Sequence, residues 1–472
     1  MKLKRNITYN FIYQILVILI PLATTPYLSR TIGSGGVGTY SFAYSVALYF
    51  TYFTQLGLAN YGNREIAQVQ ESEEERSRKF FEIYTMQAMC FALCCAVYIL
   101  YVCFIVSDRA AALCMLPLVI SSALDINWFF FGMEQFKITV IRNTVIKLAA
   151  MASIFIFVRD PDDVYIYILI MAVSFLLSQL CLWPFLKQFI KPVKITLKGV
   201  LSHFKPNLVL FIPVISVSIY KLMDKVMLGV IADVNELGFY ENAERIITVP
   251  ISLVTAVGTV MLPRVSALLS QGREGESRKY FDKTMLLILA FANAAMSGII
   301  AVADDFAVLF FGDGFEQSGI IMKYLAVTVL FLAFGNVVRT QYLIPNHKDK
   351  IYIGSAIAGA LVNFTINLLL IPRLGSSGAA VGTVAAEFVV CAYQCIGVRK
   401  ELKFAKYFKE ELVFLLISAL MFAAVKFLPD IGGAVLNLLF EICAGAAVYI
   451  ALAFIYIKIR YPKLLNLPGK RS

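Results

Sequence analysis

The sequence predicts an all-α integral membrane protein of about fourteen transmembrane helices, arranged as two six-helix lobes plus a C-terminal helix pair. Three observations carry that reading. Hydrophobic residues make up 60% of the 472-residue chain against 15% charged, and the mean hydropathy is +0.76, far more apolar than a soluble globular protein of this length. Nearly all of the chain divides into apolar runs long enough to cross a hydrocarbon core of about 30 Å as helices. The third observation is an internal repeat. Ser77-Arg-Lys-Phe-Phe81 returns as Ser277-Arg-Lys-Tyr-Phe281, and Val37-Gly-Thr-Tyr40 returns as Leu237-Gly-Phe-Tyr240, each displaced by 200 positions, as Ala43 is from Ala243 and Arg64 from Arg264.

The runs fall at 7–31, 38–63, 80–106, 111–132, 138–158, 163–188, 204–231, 238–266, 281–303, 316–344, 351–371, 377–398, 408–428 and 433–457. Within hydrocarbon a backbone must satisfy its own hydrogen bonds, so each run reads as a helix. Lys and Arg in short loops stay on the cytoplasmic side, and they alternate along this chain. The N-terminus carries Lys2, Lys4 and Arg5, and every second loop is basic, among them the linker with Lys187, Lys191, Lys194, Lys198 and Lys205. The other loops hold Asp160, Asp162, Asp163, Asp233, Asp304 and Asp305 with few bases. Both termini are therefore expected in the cytoplasm. Six helices per copy give the two copies the same orientation, a parallel repeat about an axis along the membrane normal. The expected domains are 1–192 (helices one to six), 193–405 (seven to twelve) and 406–472 (helices thirteen and fourteen with a basic tail).

Several functions are excluded or disfavoured. The formal charge of +11 belongs to the topological pattern, so no nucleic-acid partner is expected. The basic start leads into a long helix with Pro21 and Pro26 rather than a short apolar core and cleavage site, so no signal peptide is expected. All nine cysteines fall in predicted helices and read as packing residues. With only His203 and His347 in the chain, there is almost no material for a histidine metal site. The glycine clusters Gly33-Ser-Gly-Gly-Val-Gly38 and Gly375-Ser-Ser-Gly-Ala-Ala-Val-Gly382 lack a following Gly-Lys-Ser or Gly-Lys-Thr and read as tight turns between helices. No catalytic constellation and no cofactor is expected.

Ionisable groups at membrane depth cost at least about 2.5 kcal/mol each on insertion scales and should face a cavity or a partner. The seventh run carries Lys221, Asp224 and Lys225. The eighth opens with Glu241, Asn242 and Arg245, and Arg30 and Asn60 add polar groups to the first two. If these four helices line a pathway, its outer half holds more bases than acids and favours an anion such as phosphate or pyrophosphate. Arg30, Asn60, Lys221, Lys225, Asn242 and Arg245 are the candidates for that headgroup, and Asp224 and Glu241 the candidates for ion coupling. The alternative is intrahelical pairing, Lys221 with Asp224 and Glu241 with Arg245, near the membrane surface. Asp125, Lys147, Lys323 and Arg339 lie in other helices and read as structural pairs.

Arg30-Thr-Ile-Gly33 before Val37-Gly-Thr-Tyr40, then Asp125-Ile-Asn-Trp-Phe-Phe-Phe-Gly-Met-Glu-Gln-Phe-Lys137, then Asp224-Lys-Val-Met-Leu-Gly229 and Leu237-Gly-Phe-Tyr240, resemble the polysaccharide transporter family, which includes Wzx-type O-antigen and capsule repeat-unit flippases. That family belongs to a superfamily with multidrug extruders and lipid II flippases. The resemblance implies a V-shaped, alternating-access transporter whose first, second, seventh and eighth helices surround a cavity. It implies an undecaprenyl-pyrophosphate-linked oligosaccharide as substrate, membrane lipids as surroundings, proton or sodium coupling, and a polysaccharide polymerase complex as a partner, all in the bacterial cytoplasmic membrane. By analogy with lipid II flippases, helices thirteen and fourteen form a groove for the lipid tail. Arg30, Asp224, Lys225 and Arg245 match the cavity arginines and acid such flippases carry. A lipid II flippase is the nearest alternative. A multidrug antiporter would favour an acid-rich cavity.

Overall fold

The structure, a computed structural model, describes residues 2–462, and the side chains of residues 19–462 except those of Phe136, Pro213, Ser216, Val217, Ile219, Tyr220 and Lys221. Every regular element among them is helical. The chain forms two compact units, Met1–Gly238 and Phe239–Ser472.

The first unit is built around α1 (Lys2–Gln55), which holds the first two predicted spans in one element interrupted at Gly33, φ +67°. Glycine takes this conformation without the Cβ clash that other residues meet. After Leu56 and Gly57 the chain turns into the short α2 (Leu58–Ala67), so Asn60 lies beyond the end of the second span rather than inside it. Next come α3 (Glu73–Phe104), α4 (Arg109–Cys114), α5 (Leu116–Leu124), α6 (Asn127–Gly132), α7 (Phe136–Phe157), α8 (Val164–Leu180), α9 (Trp183–Leu186), α10 (Leu197–Ser202) and α11 (Phe204–Ile231). The Ser72 hydroxyl caps α3 by accepting from the Glu75 amide, and Glu73, Glu74 and Glu75 fill its first turn, where carboxylates complement the helix dipole. Buried aromatic residues pack the core: Tyr40 lies against Tyr167, and Phe80 against Trp128 and Phe129.

α12 (Val234–Ser270) begins in the first unit and continues into the second. It is followed by α13 (Glu274–Phe311), α14 (Glu316–Val338) with a π-helical turn at Arg339–Leu343, α15 (Asp349–Gly397), α16 (Ala405–Lys426) and α17 (Ala434–Arg460). α15 again joins two predicted spans across a single residue, Gly375, φ +54°. Divided at Gly33 and Gly375, the helices follow the fourteen predicted runs in order. Nine helices among the described residues are each long and apolar enough to cross a membrane. Repeat and packing divide the chain differently, since α11 opens the second copy by sequence yet packs against α1 in the first unit.

The repeat also has a physical contact. A Cβ on Gly38 would lie 1.7 Å from the Val234 carbonyl oxygen, and a Cβ on Gly238 would lie 1.9 Å from the Ser34 carbonyl oxygen. Residues 34 and 234, like 38 and 238, are equivalent positions in the two copies, so the duplicated motif packs backbone to backbone against its own counterpart. The Ser34 hydroxyl completes the contact by donating to Asn235 Oδ1 at 2.8 Å. Only hydrogen fits at either glycine. Overpacking costs about 1–3 kcal/mol, so Gly38→Val and Gly238→Val should each lower the melting temperature of the purified protein. Gly275→Ala, where nothing lies within 4 Å of the added carbon, should leave it unchanged.

Candidate functional site

In the first unit, α11 lies along α1 so closely that a Cβ on Gly229 would meet the Phe42 ring at 2.2 Å. This register buries Asp224 and half-buries Lys225, and it places the Asp224 carboxylate within electrostatic reach of the Tyr49 hydroxyl. The side chain of Lys221 lies outside the described residues. Arg30 is exposed, three residues before the Gly33 break, and Asn60 is exposed on α2. The second half of α1, residues 34–55, stands between Arg30 and Asn60 in the chain. At 1.5 Å per residue it spans about 33 Å, too far for the two to hold one headgroup. Arg30, Asp224 and Lys225 remain near the same membrane face by helix position.

In the second unit, Arg245 Nε donates to Glu241 Oε1 at 3.0 Å, with side-chain exposures of only 19% and 10%. The pair is thus intrahelical and largely removed from water. Asn242 is fully buried, and the Tyr240 hydroxyl meets Thr383 Oγ1 at 2.9 Å. Tyr40 and Tyr240 therefore pack onto the last helix of their respective six-helix sets, α8 and the second half of α15. Sequence reasoning missed a polar stripe on α15, where Asn367 Nδ2 donates to Asn363 Oδ1 at 3.3 Å and a Cβ on Gly382 would lie 2.1 Å from Asn367 Oδ1. An apolar cavity of about 370 Å³ lies among α12, α13, α14, α16 and α17, bordered by Ile246, Gly298, Met421, Gly445 and Tyr449.

A polar cluster of the first unit centres on Asp125, where α5 ends and α6 begins. Gln55 Nε2 donates to its Oδ2 at 2.7 Å, and the Asn127 amide and side chain donate to its Oδ1 at 2.8 and 2.7 Å. Asn127 in turn donates to Gln179 Oε1 at 3.0 Å and accepts from Arg142 Nη2 at 3.1 Å. Gln87 Nε2 donates to the carbonyls of Ser122 and Asp125. The carboxylate joins α1 to α6, and through Asn127 and the Asp125 main-chain carbonyl the network extends to α3, α7 and α8. Helix patterning shows each residue but not which of these distant residues meet. Replacing Asp125 with Ala should destabilise the protein by about 3 kcal/mol, because several buried donors lose their acceptor, while Asp125→Asn should recover part of the loss; thermal melting measures both.

At the basic end of this unit His203 is buried between Tyr61, whose hydroxyl lies 2.6 Å from its Nδ1, and Glu82, whose Oε2 lies 3.2 Å from its Nε2. Burial, opposed by the Glu82 hydrogen bond, holds the imidazole below its ordinary pKa. The unfolded chain therefore takes up this proton more readily than the folded one. The histidine's contribution to stability is complete above about pH 6.5 and is lost as pH falls toward the lower folded-state value. Melting temperature should fall on acidification across that window, and His203→Gln should flatten the dependence.

A duplicated helical bundle with charged side chains buried at membrane depth has the makeup of a membrane transporter. The sequence profile of the polysaccharide biosynthesis protein family matches residues 3–269, more than half of the chain, and the chain belongs to that family. A protein of Escherichia coli (strain K12) named "Putative O-antigen transporter" is 22% identical over 406 residues, which is 84% of this chain and 97% of that protein. Among solved structures, the lipid II flippase MurJ in an inward closed conformation matches with a TM-score of 0.76 at 15% identity, covering 96% of this chain and 99% of its own. An inward-facing multidrug resistance MATE family transporter of the MOP superfamily matches with a TM-score of 0.57 at 15% identity, covering 86% and 96%. The two structural likenesses fix the fold.

Proposed function

We propose that this protein is a flippase for a lipid-linked oligosaccharide. It moves an undecaprenyl-pyrophosphate-linked repeat unit from the cytoplasmic to the outer leaflet of a bacterial cytoplasmic membrane, for export of a surface polysaccharide. The observation that carries this reading is the near full-length similarity to the O-antigen relative. The placement of the charges supports it. Arg30 and Lys225 supply cations toward one membrane face, and Arg245 is a further cation kept in place by Glu241. A pyrophosphate would compete with Glu241 for Arg245, and protonation of Glu241 would release the guanidinium to the substrate. Proton uptake would thereby be linked to headgroup binding. Asp224, buried on α11, is the second candidate for the coupling ion, proton or sodium. The apolar cavity beside α16 and α17 suits a polyprenyl tail. With the basic loops inside, both termini are cytoplasmic, and a polysaccharide polymerase is the expected functional partner.

A lipid II flippase is the second reading, favoured by the TM-score of 0.76 to MurJ. Deleting the gene separates the two: accumulation of a lipid-linked repeat unit with loss of surface polysaccharide supports the first, and arrest of cell-wall synthesis supports the second. Lys225→Ala and Arg245→Ala should each reduce glycan display at least about tenfold while the protein still inserts. Unchanged display in both single variants and in the double variant would remove these residues from the mechanism.

A further inference from the structure

At the basic end of the second unit, α13, α16 and α17 enclose a cavity of about 480 Å³ lined by Lys279, Asp282, Lys283, Lys406, Glu410 and Arg460. Its acids are already engaged. Asp282 accepts from Lys406 Nζ at 2.7 Å and from the Tyr407 hydroxyl, and Arg278 approaches it at 3.6 Å. Glu410 accepts from the hydroxyls of Tyr456 and Tyr461 at 2.5 and 2.7 Å. Lys279, Lys283 and Arg460 form no ion pair among the described residues. Lys279 and Lys283 stand one helical turn apart on the same face of α13. The cavity lining thus carries four bases, Lys279, Lys283, Lys406 and Arg460, against two acids, Asp282 and Glu410.

The helices that border this cavity turn apolar side chains outward. On α16 the exposed side chains Phe408, Leu412, Leu416 and Leu420 recur every four residues, and on α17 Ile450, Phe454, Ile455 and Ile459 are exposed. These stripes run from the charged end along the two helices. A basic pocket at the end of helices whose outer faces are apolar matches an amphiphile that has an anionic head and apolar chains. Basic pockets between transmembrane helices on the cytoplasmic side suit anionic lipid headgroups.

We propose that the basic end of α13, α16 and α17 is a binding site for an anionic phospholipid of the cytoplasmic leaflet, separate from the glycan pathway. The headgroup phosphate lies among Lys279, Lys283 and Arg460. A lipid held here braces the C-terminal helix pair against α13.

Native mass spectrometry of the full-length protein in mild detergent, with phosphatidylglycerol and phosphatidylcholine at equal concentration, tests the site. The wild type should retain phosphatidylglycerol about tenfold over phosphatidylcholine. The triple variant Lys279→Ala, Lys283→Ala, Arg460→Ala should fall below about twofold preference, and the charge-retaining triple Lys279→Arg, Lys283→Arg, Arg460→Lys should keep it. Should the alanine triple fail to fold, the exposed single changes Lys279→Ala and Lys283→Ala carry the measurement, each lowering the preference. Removing equal charge elsewhere at the basic end, with Lys187→Ala, Lys194→Ala and Lys198→Ala, should have no effect. Absence of preference in the wild type, or equal loss in this control, overturns the proposal. So does displacement of phosphatidylglycerol by undecaprenyl pyrophosphate at equal concentration, which would assign the pocket to the transported lipid. The readout is lipid retention and does not depend on glycan flipping.

Discussion

Hydrocarbon offers no hydrogen bonds, and every polar group placed in it must find a partner within the protein. That constraint makes every regular element among the described residues helical, and it also dictates where polar side chains meet. Asp125 sits where one helix ends and the next begins, and five helices supply or receive hydrogen bonds around it. Arg245 is satisfied by Glu241 one turn away. A buried ion pair of this kind offers little net stability and is easily justified by function, because its partners can be exchanged for a ligand.

Close backbone approach is the second organising feature. In a membrane, helices associate through packing at small residues rather than through the hydrophobic effect. The contact between residues 34–38 and residues 234–238 uses glycine for that purpose at equivalent positions of both copies. The repeat is therefore a surface as well as a trace of duplication: one short motif fits against its own copy. The same displacement of 200 residues carries Tyr40 to Tyr240, and each is buried against the final helix of its own set. Charge is the feature the copies do not share. Asp224 and Lys225 have no counterpart at residues 24 and 25, which are Thr24 and Thr25, and this asymmetry marks the second copy's first helix as the specialised one.

Much of this was legible in the sequence because the membrane reduces folding to a one-dimensional pattern. Apolar length gave the helices in order. The Gly33 and Gly375 clusters read as turns, and the structure narrows each to a single residue between continuous helices. The candidate site was less legible. Asn60 read as part of the second span, but Leu56 and Gly57 end that helix first, and the length of residues 34–55 separates Asn60 from Arg30. The Asp125 network joins residues 55, 87, 125, 127, 142 and 179, a pairing that no local spacing encodes. The lipid-facing pocket was hidden for a different reason: Lys279, Lys283, Lys406 and Arg460 belong to the topological pattern, and only their convergence in space distinguishes them from other loop bases.

The central claim is that a membrane bundle of this family moves a pyrophosphate-linked glycan between leaflets. Reconstitution into vesicles that carry a fluorescent undecaprenyl-pyrophosphate oligosaccharide in the inner leaflet tests it most directly, with arrival at the outer leaflet read by an impermeant quencher. The account predicts protein-dependent transfer that a proton or sodium gradient accelerates and that Lys225→Ala with Arg245→Ala abolishes. Transfer no faster than in protein-free vesicles, from a preparation that instead exchanges an organic cation for protons, would contradict it.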